Sequence, residues 1–139
     1  MHGDVSPKNI LVGRHGPVFL DAECAWFGDP AFDAAFCLNH FLLKCLARRG
    51  DARRYLGLVA AFSSTYFGLA GWEDAHALEA RVARLLPALF LARVDGKSPV
   101  EYIGRDPDRD LVRATALRWL EWPPATVGEI ARDWLERLG

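Results

Sequence analysis

Three residues near the head of this 139-residue chain could do chemistry together: Asp4, Asn9 and Asp21. They supply a carboxylate, a carboxamide and a second carboxylate, in that order. Phosphoryl transfer asks little covalent help of a protein. It needs a carboxylate to orient a nucleophilic hydroxyl, and oxygen ligands to hold Mg²⁺ against the phosphates. These are the residue types for both tasks.

The elements around them must bring them close. Residues 1–9 read as a loop, because Pro7 lacks an N–H and fixes its own φ. Residues 10–12 and 17–20 are short β-type runs, and Gly13-Arg14-His15-Gly16 predicts the turn between them. The two glycines are expected to supply positive φ there, not a phosphate cradle. Such a hairpin sets the Asn9 end of one strand beside the Asp21 end of the other. Residues 21–27 read as irregular. Asp29 and Pro30 then predict a helix start, with Asp29 at the N-cap and Pro30 at the first helical position. The helix over 31–48 is apolar almost all round in its first half, as a buried pillar would be.

H-G-D-x-x-P-x-N-I-L-V at residues 2–12, F-L-D-A-E at 19–23 and G-D-P-A-F-D at 28–33 carry a resemblance. The segment resembles the aminoglycoside phosphotransferase and choline kinase group of small-molecule kinases, which are protein-kinase-like in fold. The resemblance is close over residues 1–33; beyond them it extends only to a helical C-terminal lobe. It implies ATP and Mg²⁺ as co-substrate and cofactor, and a small-molecule hydroxyl as acceptor. Asp4 becomes the catalytic base, against the alternative of a loop Asp bonded to nearby N–H groups. Asn9 and Asp21 become the metal ligands, against a turn Asn and a strand-end cap. Glu23 is either a further metal carboxylate or a solvent-facing side chain. His2 holds the loop by bonds to backbone, and Asp29 and Asp33 support it, Asp33 by accepting backbone N–H bonds. Ser6 and Lys8 fall on the nucleotide side. Ser6 is a departure, because related enzymes carry a cation there. Lys8 partly substitutes or stays a solvated charge.

Composition is that of an ordinary globular chain: half apolar, a quarter charged, net charge −1. The balance argues against a nucleic-acid binder, and the arginines form no stripe. The longest apolar run is too short to span a membrane. No signal segment is evident, and the three separated cysteines make no disulfide framework, so a cytoplasmic chain is expected. Cys37 and His40 lie one helical turn apart, which raises a zinc site; the competing reading is core thiols.

Further helices are expected over 51–69, 72–94 with a kink or break at Pro87, 98–104 from a Ser98–Glu101 capping box, 106–121, and 126 onward from a Thr126–Glu129 box. Asp95 and Lys97, in the polar segment 93–97 at the end of the second of these, could touch substrate or simply end a helix. The expected architecture is mainly α with one small β-hairpin, a single domain over 1–139. It divides into 1–29 (loop, hairpin and metal segment) and 30–139 (helical). It corresponds to the C-terminal lobe of a kinase-like α+β fold. No G-x-G-x-x-G and no strand lysine precede the loop, so a fragment is expected, with an N-terminal lobe as its missing partner. The rival function is a non-catalytic, truncated kinase-like domain that binds a partner. A protein kinase is disfavoured, because no long activation segment follows Asp21.

Overall fold

Helix α1, Ala31–Ala47, runs through the middle of the molecule. Twelve of its seventeen residues are buried, which only a helix covered on every side can achieve. The computed structural model describes residues 1–139. Around α1 stand α2 (Ala52–Leu69), α3 (Ala75–Asp95), α4 (Asp106–Glu121) and α5 (Val127–Leu138). All five helices contribute to one core of 25 buried residues. At its far end Phe90, Trp119 and Trp134 meet ring to ring, with centroids 5.0 to 6.2 Å apart.

Before α1 comes an antiparallel hairpin of β1, Ile10–Gly13, and β2, Gly16–Phe19. Ile10 pairs with Phe19, and Gly13 with Gly16, leaving Arg14 and His15 as the turn. Gly16 takes φ +121°, but Gly13 keeps an ordinary φ, so only one of the two glycines is needed for its backbone freedom. Both faces of the hairpin are open: Val12 is 93% exposed, and nearby Phe27 is fully so. A lone two-stranded hairpin is marginal in water. Here it is tied down at its base, where Leu20 N–H donates to the Asn9 carbonyl at 2.8 Å.

Along the helical part, sequence expectations and structure part at several places. Pro87 does not divide α3, which continues through it as one helix. Its ring is buried in the core, and that packing offsets the one backbone bond it forfeits. Residues 98–104 do not form a helix. Val100 and Ile103 are buried, Val100 N–H donates to the Arg93 carbonyl at 2.9 Å, and the Ile103 carbonyl accepts from Arg109. Those anchors stretch the segment across the core, and burial overrides the local capping signal. Asp51 does precede α2, but its carboxylate pairs with Arg54 instead of capping the helix.

The Thr126 box does form. Thr126 Oγ1 accepts from Glu129 N–H at 3.2 Å, and Glu129 Oε2 accepts from Ala125 N–H at 2.8 Å, one residue outside the usual partner. Val127, Ile130, Trp134 and Leu138 then face the core, at the spacing of one helical face.

Candidate functional site

The loop before β1 is held from below by α1. Asp33, in the first turn of that helix, accepts from His2 N–H at 2.6 Å and Gly3 N–H at 2.8 Å. One carboxylate thus satisfies two adjacent backbone donors, the strong charge-assisted kind of bond. Gly3 sits at φ +86°, and a Cβ there would meet the Cys24 carbonyl oxygen at 2.5 Å. Only glycine fits, because the loop and the Ala22–Cys24 turn press backbone to backbone. His2 Nδ1 accepts from Asp4 N–H at 3.3 Å, which leaves the ring proton on Nε2. That Nε2 is buried without a partner.

Asp4 and Asn9 meet. Asn9 Nδ2 donates to Asp4 Oδ2 at 3.0 Å and to the Asp4 carbonyl at 3.1 Å. The amide orientation is therefore set by the network, and Oδ1 is left as the free acceptor. Asp21 lies one residue past Leu20, which is bonded to Asn9, so the hairpin delivers it to the same end. Its backbone is left-handed, φ 64° and ψ 55°, unusual for a residue other than glycine. Such conformations concentrate at functional sites. Asp21 and Glu23 are exposed and take no hydrogen bond within the chain. No three His, Cys, Asp or Glu side chains converge as a metal cluster. Asp4, Asn9 and Asp21 offer only oxygen donors, the chemistry that suits a hard cation such as Mg²⁺.

Asp29 stands just outside the helix it was expected to cap, for Pro30 occupies the N-cap. Its Oδ1 still accepts from Ala31 N–H at 2.9 Å, and both oxygens accept from Arg81 of α3. The Arg81 guanidinium holds its carboxyl below the usual range. Ser6 is buried, its hydroxyl unpartnered, while Lys8 reaches a cavity.

That cavity, about 470 Å³, opens beside Asp4. Its far wall comes from residues that motif reading did not place there: His40 of α1, Arg93 of α3, and Glu101 and Tyr102 of the connecting segment. His40 Nδ1 and the Tyr102 hydroxyl are 2.9 Å apart. Burial, with Arg93 nearby, pushes His40 down to about 4, so the imidazole is neutral at pH 7. Cys37 and Cys45 lie in the core, where burial pushes their thiols up to about 11 and about 12, against thiolate formation. Asp95 is taken by Arg113, and Lys97 is exposed; from that polar segment it is Arg93 that lines the cavity. The sequence signal was a pair of polar residues, Asn39 and His40, in the middle of a largely apolar helix.

The family model described as "Phosphotransferase enzyme family" matches residues 1–74, from the loop to the end of α2 and just beyond. The chain belongs to this phosphotransferase family. The methylthioribose kinase of Bacillus velezensis (strain DSM 23117 / BGSC 10A6 / LMG 26770 / FZB42) is 36% identical over 56 residues. Those residues are 40% of this chain and 14% of that kinase, so the match spans a small part of the relative. No solved structure matches. The family segment contains Asp4, Asn9, Asp21 and Asp33, while Arg93, Glu101 and Tyr102 fall outside it. No helix is long and apolar enough to cross a membrane.

Proposed function

We propose that this phosphotransferase-family chain is the C-terminal catalytic lobe of a small-molecule kinase. It would form a single domain over residues 1–139, and would transfer the γ-phosphate of ATP to a substrate hydroxyl. The observation that carries the reading is the Asp4–Asn9 pair, clamped through Asp33 and opening on a cavity.

In this reading Asp4 hydrogen-bonds the acceptor hydroxyl and takes its proton. The hydroxyl oxygen bonds to the γ-phosphorus as the bond to the β,γ-bridging oxygen breaks and ADP leaves. Mg²⁺, when bound, supplies charge neutralisation on the phosphates; Asn9 Oδ1 and the Asp21 carboxylate would hold it, with Glu23 beside them. Lys8 faces the transferred group as a cation. Asp33, Asp29 and His2 keep the loop in place and touch no substrate.

The open hairpin face supports a partner. Leu11, Val12, Val18 and Phe19 together expose more apolar surface than a solvated hairpin needs. A nucleotide-binding lobe seated there would close the site over the phosphates. The same face also favours a second reading, a non-catalytic module that uses the hairpin to bind another protein.

The test is ATP consumption across a panel of hydroxyl acceptors by the product of the native gene, beside its Asp4→Ala variant. Transfer abolished with an unchanged circular dichroism spectrum supports catalysis. Turnover retained in Asp4→Ala removes Asp4 as base, and no turnover with any acceptor favours the binding module.

A further inference from the structure

Arg93 differs from the chain's paired arginines. Arg49, Arg54, Arg81, Arg105, Arg113 and Arg137 each pair with a carboxylate. Arg93 is half-buried, makes no side-chain hydrogen bond, and has its Nε buried without a partner. Its guanidinium carbon lies over the Phe36 ring, 5.2 Å from the ring centre, a cation–π contact. The fork lines the cavity beside Asp4, and Lys8 lines it too. Lys44 adds a third cation behind the wall, 4.8 Å from the centre of the Tyr102 ring. Against them stand Asp4, engaged by Asn9, and Glu101, exposed at the rim.

A guanidinium whose Nε is buried without a partner is costly unless something completes it. A planar fork is completed best by an oxyanion, which accepts two parallel N–H bonds. We propose that Arg93 makes the cavity beside Asp4 a seat for an acceptor alcohol that also carries an oxyanion, either a carboxylate or a phosphate. The oxyanion docks on Arg93, and the hydroxyl is thereby aimed across the cavity at Asp4. A polycationic acceptor would meet Arg93 and Lys8 with like charge. His40 and Tyr102 contribute polar edges without charge, which suits hydroxyl groups on the same molecule. The proposal rests on the kinase reading for the meaning of "acceptor", but the anion site itself does not need it.

The test is calorimetric titration of the product of the native gene with glycerate, glycerol 3-phosphate, glycerol and choline, without nucleotide. At least one anion should bind about tenfold or more tighter than glycerol, the scale of one charge-assisted contact pair, and choline weakest. The tighter of glycerate and glycerol 3-phosphate identifies the oxyanion as carboxylate or phosphate. Arg93→Gln should lose about that tenfold while leaving the weak glycerol binding alone. Glu101→Gln, at an exposed position that should not disturb folding, should tighten anion binding a few-fold by removing the opposing charge. Anions binding no tighter than glycerol, choline binding best, or an Arg93→Gln variant that is folded and binds normally would each overturn the proposal. Were Arg93→Gln to fail to fold, the Glu101→Gln titration decides: unchanged or weaker anion binding overturns it. The Asp4→Ala turnover result is independent, so either reading can fall while the other stands.

Discussion

Asn9 Nδ2 lies 3.0 Å from Asp4 Oδ2 and 3.1 Å from the Asp4 carbonyl oxygen, so one carboxamide grips both the side chain and the backbone of the residue it serves. Asn9→Leu keeps much of the volume and removes both bonds. Leaving these partly buried acceptors unmet should cost about 1–3 kcal/mol in urea unfolding. In the native gene product the same change should also weaken Mg²⁺-dependent nucleotide binding. A variant with unchanged stability and unchanged Mg²⁺ titration would remove Asn9 from both roles.

Gly3 should tolerate no side chain. Gly3→Ala combines φ +86° with a Cβ 2.5 Å from the Cys24 carbonyl oxygen. The expected loss is about 1–3 kcal/mol from backbone strain alone, with more from the clash. Gly128, whose added Cβ would meet nothing nearer than 3.8 Å, provides the control; Gly128→Ala should leave the melting temperature near that of the parent.

Asp33→Ala should free the loop without unfolding the helices. The His2 and Gly3 N–H groups lose their acceptor at 2.6 and 2.8 Å. Hydrogen exchange should accelerate at these two amides and at Asp4, while the α1 amides beyond the first turn stay protected. Uniform loss of protection throughout α1 would show that Asp33 supports the core and not the loop.

His40 predicts a pH dependence with a definite sign. Burial comes first among the causes that depress its pKa from 6.5 to about 4, with Arg93, Lys44 and Lys8 adding to it and Asp4 opposing. Between those values the unfolded chain binds a proton that the native chain refuses. Stability is therefore complete above about pH 6.5 and declines as pH falls toward 4, by up to about 3 kcal/mol. Urea unfolding at pH 7.5 and pH 5 should show the drop, and His40→Gln should flatten it. Equal drops in both proteins would assign the effect to other groups.

Trp134 anchors α5. Its ring is fully buried, and its Nε1 donates to the Leu42 carbonyl at 2.8 Å. Trp134→Ala should cost about 3–5 kcal/mol, enough to threaten a domain of this size. A loss under about 1 kcal/mol would mean the core refills the space, contrary to its dense ring packing.

The helices were legible where a strong pattern met a strong boundary. Asp106-Pro107 opens α4 and Trp122-Pro123-Pro124 follows its end, and α5 shows its inner face at regular spacing. Two of the misreadings share one cause. Pro87 and the Ser98–Glu101 box are local signals, and each lost to burial: the proline ring in the core, and Val100 with Ile103 pinned across it. The same limit applies to the cavity wall. His40 and Tyr102 are 62 positions apart in sequence and 2.9 Å apart in space. No spacing rule links them.

By itself the sequence determined what is local: the loop-hairpin-helix order, the identity of Asp4, Asn9, Asp21 and Asp33 as candidates, and the amphipathic faces. These depend on residues within a turn or a hairpin of each other, where backbone geometry sets distance. Only the tertiary structure decided which N–H groups Asp33 grips, those of His2 and Gly3, and that Arg93 reaches a cavity beside Asp4 unpaired while Asp95, two residues on, is claimed by Arg113. Side chains brought together by packing three helices carry no shared period, and which charge finds a partner depends on where the core sets each helix face.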